Sequence, residues 1–145
     1  EIYTLSLHDA LPIYQPEIQN CAAGPARRGA SGAWSMDFTF PPSFMGFDGH
    51  FPGRPILPGM VQIMAATLVA GSGGPLALQK ISRAKFSRIV EPGETIRVEA
   101  DLAEKNSRIQ AVVRILVGEE TAATMTLFLS PPDDMPPAVP KGIIP

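Results

Sequence analysis

Hydrophobic and polar positions along this chain change period, and the changes divide it into elements. Thr95–Glu104 (TIRVEADLAE) alternates: Ile96, Val98, Ala100 and Leu102 share one face, and Arg97, Glu99 and Asp101 share the other. That period of two is the mark of a half-buried strand. Gln79–Arg88, Arg108–Val117 and Thr121–Ser130 read as three more strands, and Trp34–Phe40 as an earlier one. Turn residues at Glu91–Glu94, Lys105-Asn106 and Gly118-Glu119 separate them, and the spacing predicts an antiparallel meander. Gly59–Ala70 has the other period. It is apolar nearly all round and ends at the glycines of positions 71–74, so it predicts a helix buried on most sides. One buried helix against an antiparallel sheet is an α+β fold. Val112, Leu116 and Phe128 leave apolar side chains on the nominally outward face, and a second subunit is the simplest source of their burial.

The pattern fails at both ends. Residues 1–13, EIYTLSLHDALPI, resemble translated sequencing-adapter sequence and are expected to be an artefactual addition. Tyr14–Ala33 has no sustained period and reads as coil, so 1–33 is expected to lie outside the fold, with a native start near Met36. Residues 34–130 form the predicted domain, and 131–145 (PPDDMPPAVPKGIIP) a proline-rich flexible tail. With 145 residues, 45% of them hydrophobic, the chain can bury one core. Its formal net charge of −2 gives no pull toward nucleic acid or anionic lipid. Cys21 is the single cysteine, which excludes an intrachain disulfide and fits a reducing, cytoplasmic setting. The apolar run Met60–Ala70 falls far short of the ~20 residues that span a bilayer, and no charged segment leads into a signal-peptide cleavage site.

The chemistry concentrates in residues 46–63, GFDGHFPGRPILPGMVQI. His50 is the only histidine of the patterned chain and sits in a loop stiffened by proline and glycine. Pro58-Gly59 then opens the helix, whose first N–H groups have no partner within it and can hold a developing negative oxygen. A base beside such a helix start suits proton abstraction next to a carbonyl, and the plainer alternative for His50 is a hydrogen bond to a backbone carbonyl. No Asp or Glu occurs between Asp48 and Glu91, so the helix carries no acid. One histidine and no cysteine in the patterned part fall short of a metal-ligand set. No glycine-rich nucleotide loop follows a strand, and no aromatic–basic platform for nucleic acid is present.

Gly49-His50-Phe51-Pro52-Gly53-Arg54-Pro55-Ile56-Leu57-Pro58-Gly59 resembles the signature of hot-dog-fold 3-hydroxyacyl-acyl-carrier-protein dehydratases of fatty acid and polyene synthesis. Ala84–Glu94 (AKFSRIVEPGE) is similar to a second stretch of that family, and the resemblance spans about 38–129. It implies a long helix wrapped by a curved antiparallel sheet, a dimer with a continuous sheet, and no cofactor. It also implies a substrate carried as a phosphopantetheine thioester of acyl carrier protein or coenzyme A, with no nucleic-acid or membrane partner. The family's histidine matches His50, the catalytic base, and the amides of Gly59 and Met60 match the oxygen-holding helix start. Phe51, Pro52, Gly53, Pro58, Met64 and Thr67 are the expected substrate contacts.

The sequence departs from the family at one position, because the helix carboxylate that a second subunit presents there matches Met64. Met64 cannot donate a proton, and as a plain core residue it needs no function. Thr67 lies on the same side of the helix and could orient a water, whereas Gln62 faces elsewhere. Asp48 reads as a turn residue or as an orienting acid for His50. Arg54, Lys80, Arg83, Lys85 and Arg88 fall in a stretch without acids. Arg54, Arg83 and Lys85 are candidate contacts for an acidic carrier protein, or else part of an ordinary solvated face. Two alternatives to a dehydratase stand beside it: a non-catalytic or complementing subunit of a hetero-oligomeric dehydratase, and an acyl thioesterase.

Overall fold

The computed structural model describes residues 16–44 and 55–131. Residues 1–15, residues 45–54, which include His50, and residues 132–145 lie outside the described residues. In order the elements are β1 (Arg27–Arg28), β2 (Trp34–Thr39), α1 (Gly59–Ala70), β3 (Ala77–Phe86), β4 (Thr95–Lys105), β5 (Arg108–Val117) and β6 (Glu120–Ser130). They form one antiparallel six-stranded sheet, ordered β1-β2-β4-β5-β6-β3, with α1 against its inner face. This is the α+β hot-dog arrangement that the resemblance implied.

The alternation read in β4 continues across the sheet. Val98 pairs with Ile115 and Met36, Ala100 with Val113 and Trp34, and Leu102 with Ala111. Val98, Ala100, Val113 and Ile115 are fully buried beneath α1. Cross-strand neighbours project to one face, so each inner row presents a continuous apolar stripe to the helix. Nine of the twelve helix residues, including Met64, are buried, as expected of a helix that is apolar nearly all round. The β4–β5 turn places Asn106 and Ser107 at positive φ, 52° and 65°, the conformation of a tight two-residue hairpin whose twist matches its strands.

Three expectations are corrected. The predicted meander holds for β4-β5-β6, but β3 pairs with β6 at the far edge, not with β4. Consecutive strands are separated because α1 carries the chain across the sheet between β2 and β3. The coil expected over Tyr14–Ala33 is ordered in its described part: residues 16–20 are helical and Ile18 is fully buried. There Ala23 donates to the Asp37 carbonyl, the Thr39 amide donates to the Cys21 carbonyl, and Arg27 and Arg28 pair with Ser35 and Trp34. Cys21 is half-buried, and burial first, then Glu17, pushes its thiol above the ordinary value. That is the opposite of a reactive thiolate. Finally, β3 starts at Ala77 and ends at Phe86, and its register slips between Ser82 and Lys85. Arg83 sits at that bulge with φ 56°, a left-handed conformation that costs a bulky residue about 1–2 kcal/mol.

Arg88 is not a free cation. Its guanidinium donates to both Glu94 carboxylate oxygens at 2.9 and 3.0 Å, to Glu120 at 2.9 Å and to the Ile89 carbonyl at 2.9 Å. It ties the segment after β3 to the turn before β4 and to the start of β6. Hydrogen bonds from Arg88, then one from the Glu91 amide, hold the Glu94 carboxyl below the usual carboxylate range. A depressed folded-state pKa contributes stability that is present above the unfolded value, about 4.3, and is lost as pH falls through the folded value. Glu94→Gln is therefore expected to destabilise at pH 7 and to approach the parent chain as pH drops below about 4. Urea midpoints measured across that range check it, and a penalty independent of pH would contradict it.

Candidate active site

Two stretches far apart in sequence meet at the start of α1. The Leu57 amide donates to the Val90 carbonyl at 2.8 Å, which fixes the approach to the helix against the segment that Arg88 holds. Pro58, at φ −64° and ψ 148°, is the residue before the helix and supplies no side-chain cap. Its carbonyl accepts from Val61 at 3.1 Å and from Gln62 at 3.2 Å. The amides of Gly59 and Met60 have no hydrogen-bond partner among the described residues. The first turn contains no acidic side chain, so the positive end of the helix dipole is unquenched by its own residues.

Phe86, at the end of β3, covers this point. A Cβ at Gly59 would lie 2.9 Å from the Phe86 ring, so only glycine allows the ring to seat there. Phe86 is 45% exposed, and Ile89, just beyond it, is 48% exposed. The pairing of Phe86 with Ala123 places it on the helix side of the sheet. Phe86 is part of the matching string Ala84–Glu94, but its contact follows no local period, because it joins positions 59 and 86 of two different elements.

The other predicted positions sort as follows. Gly59 and Met60 are half-buried at the helix start, with Pro58 beside them. Met64 is wholly buried in the core. Thr67 is also buried, and its hydroxyl donates to the Ile63 carbonyl at 2.9 Å, so its proton is already committed within the helix. Gln62 is 3% exposed; its amide nitrogen reaches the Leu57 carbonyl at a long 3.4 Å and its Oε1 has no partner among the described residues. His50, Phe51, Pro52, Gly53, Arg54 and Asp48 lie outside the described residues. Lys85 is opposite Thr124 on the outer face of the sheet, and Arg83 borders a groove on that face with Val112 and Thr126. Both are thus across the sheet from the helix start. Among the described residues no group of three or more His, Cys, Asp or Glu could hold a metal ion, and no helix is long and apolar enough to cross a membrane.

Chemically, the helix start offers two free donors beside an aromatic ring in apolar surroundings. Such donors stabilise an oxyanion more than water does, because they are oriented before charge develops. They supply no proton and no base.

Residues 26–125 match the family model described as ApeI-like, ApeI dehydratase. A 3-hydroxyacyl-[acyl-carrier-protein] dehydratase FabZ of Desulforamulus reducens is 36% identical over 94 residues, covering 58% of this chain and 66% of that protein. The protein of the same description from Rickettsia conorii is 35% identical over 92 residues, covering 57% and 63%. The match thus spans less than two thirds of the length of these relatives. Among solved structures, the dehydratase heterocomplex ApeI:P of Xenorhabdus doucetiae superposes with a TM-score of 0.61 at 23% identity, over 75% of this chain and 96% of that one. Cj0977 of Campylobacter jejuni superposes with a TM-score of 0.63 at 15% identity, over 82% and 91%. At these identities the structures show the shared fold.

Proposed function

The chain belongs to the ApeI-like dehydratase family, and on that premise we propose that it interconverts 3-hydroxyacyl and 2-enoyl thioesters in fatty acid or polyene synthesis. The observation that carries the reading is the pair of amides at Gly59 and Met60, which have no partner among the described residues, at the start of an apolar helix. In the dehydration direction His50 takes the proton from C2 of the acyl chain. The electron pair moves toward the thioester oxygen, which the two amides receive. It then returns to form the C2–C3 double bond as the C3 hydroxyl, protonated by the His50 imidazolium or by an acid from outside α1, leaves as water. Phe51, Pro52, Gly53 and Pro58 shape the path of the acyl chain. No cofactor enters this scheme; the thioester arrives on the phosphopantetheine arm of acyl carrier protein or of coenzyme A. The relatives named for acyl-carrier-protein substrates favour the former.

The departing hydroxyl needs a proton, and α1 has no acid to give it. A complementing role is therefore a specific second reading: a related hot-dog subunit supplies the carboxylate, and this chain supplies His50 and the amides. Two features favour it: Met64 at the mapped carboxylate position, and the description of the Xenorhabdus structure as a heterocomplex. The open edge of β3, with Phe86 and Ile89 exposed beside it, is where such a partner would extend the sheet. Thioester hydrolysis has no placed carboxylate to activate water and is not favoured.

Purified full-length chain, alone and co-expressed with a related hot-dog subunit, is tested with a short 2-enoyl thioester. Reversible hydration supports the proposal, and release of free thiol without hydration would replace it with hydrolysis. Gly59→Val, which displaces the Phe86 ring and blocks approach to the amides, is expected to lower hydration about 10²-fold. Its unfolding midpoint should stay near that of the parent chain, because a half-exposed ring can swing aside.

A further inference from the structure

The outer face of the sheet, opposite α1, carries a charge order that nothing in the thioester chemistry uses. Cross-strand pairing defines its rows. One runs Asp101 (β4), Val112 (β5), Thr126 (β6), Ser82 (β3), with Arg83 at the adjoining bulge. The next runs Glu99, Arg114, Thr124, Lys85. A third runs Ala103, Gln110, Phe128, Lys80. In these rows the acids Glu99 and Asp101 stand at the β4 end and the bases Lys80, Arg83 and Lys85 at the β3 end, with Val112, Arg114, Thr124, Thr126 and Phe128 between them. Arg97, on the same face of β4, is already paired with Asp37 of β2. Val112 is 54% exposed, the most exposed large apolar side chain among the described residues. Arg83 is turned over this face by the left-handed bulge and borders one groove with Glu99, Asp101, Val112, Thr124 and Thr126. Glu99 already pairs with Arg114 at 2.9 Å, but Asp101, Arg83 and Lys85 have no ion-pair partner among the described residues.

We propose that this face docks a second copy of the same chain, sheet against sheet, about a two-fold axis that runs along the strands between β5 and β6. Such an axis reverses each row. Asp101 then meets the Arg83 of the other copy, Glu99 meets its Lys85, and Val112 lies over its Thr126. Symmetry makes each contact twice, so one charged row supplies two attractive pairs at opposite ends of an apolar centre. A strongly acidic carrier protein would be drawn to the β3 end and repelled at the β4 end, and a basic partner the reverse. A copy of this chain satisfies both ends. The interface is separate from the β3 edge, so it adds to any edge-paired assembly and does not replace it.

Sedimentation velocity on the full-length chain tests this. Val112→Glu is expected to halve the sedimenting mass. Asp101→Arg and Arg83→Asp, each of which turns two attractions into two repulsions, are each expected to weaken association about tenfold or more. An equimolar mixture of those two variants restores both attractions and should recover the parent mass. The three positions lie on the exposed face, so unfolding midpoints should stay near the parent value; if Val112→Glu does not fold, the charge variants decide alone. Unchanged mass in the charge variants would overturn the proposal. So would a mixture that fails to reassociate. A changed KM for a carrier-protein thioester at unchanged mass would assign the face to the carrier and overturn it as well.

Discussion

Replacing His50 by alanine is expected to reduce enoyl thioester hydration by about 10²–10⁴-fold, the usual worth of a positioned general base. The only other histidine of the chain is His8, within the segment 1–13 expected to be an artefactual addition. Among the described residues, α1 has no carboxylate, and Glu94 is held by Arg88 and by the Glu91 amide. A catalytic role predicts that the unfolding midpoint barely moves. Loss of turnover together with loss of cooperative unfolding would contradict a catalytic role. The pH profile adds a second readout, because the limb that reports protonation of the base should vanish with the imidazole.

Met64→Glu is expected to have the other large effect, in two opposed directions. Met64 is fully buried, so a carboxyl there loses the packed thioether and is desolvated, a cost of about 2–5 kcal/mol in unfolding free energy. The same desolvation raises the carboxyl pKa and keeps it neutral near pH 7. A neutral carboxyl is the form that can protonate a leaving hydroxyl. If the position maps onto the family's acid, hydration rises by up to about 10²–10⁴-fold in the assembled protein despite the lower stability. Met64→Gln, similar in shape but without an acidic proton, should share the stability loss and leave the rate unchanged. Steady-state rates and urea midpoints for both variants check this. A folded Met64→Glu chain with the parent rate would mean that the acid comes from elsewhere in the assembly.

Much of the fold was legible because α1 and β4 each repeat one rule over many residues. Charged side chains on the outer face of β4 made its alternation visible, and the absence of any charge in α1 announced its burial. Ile18 was illegible because one apolar residue defines no period, and Arg27-Arg28 becomes a strand only by pairing with β2. The far placement of β3 was also hidden, since sequence spacing suggests which strands are neighbours but does not fix it when a helix intervenes. That the amides of Gly59 and Met60 have no partner within the helix followed from the helix start alone. The Phe86 contact, the internal hydrogen bond of Thr67 and the ion pairs of Arg88 did not, because each depends on partners brought together by tertiary structure or by a specific rotamer.

Proton abstraction can be separated from loss of the hydroxyl. A saturated acyl thioester lacks the 3-hydroxyl, so it cannot eliminate, but its C2 protons still face the same base and the same amides. Incubation in heavy water, followed by mass spectrometry, reports exchange at C2 and needs no general acid. The predicted result is deuterium uptake catalysed by the parent chain, unchanged in Met64→Gln and abolished in His50→Ala. Uptake no faster than in buffer, in the chain alone and in its assembled form, would contradict the account, as would uptake undiminished without His50.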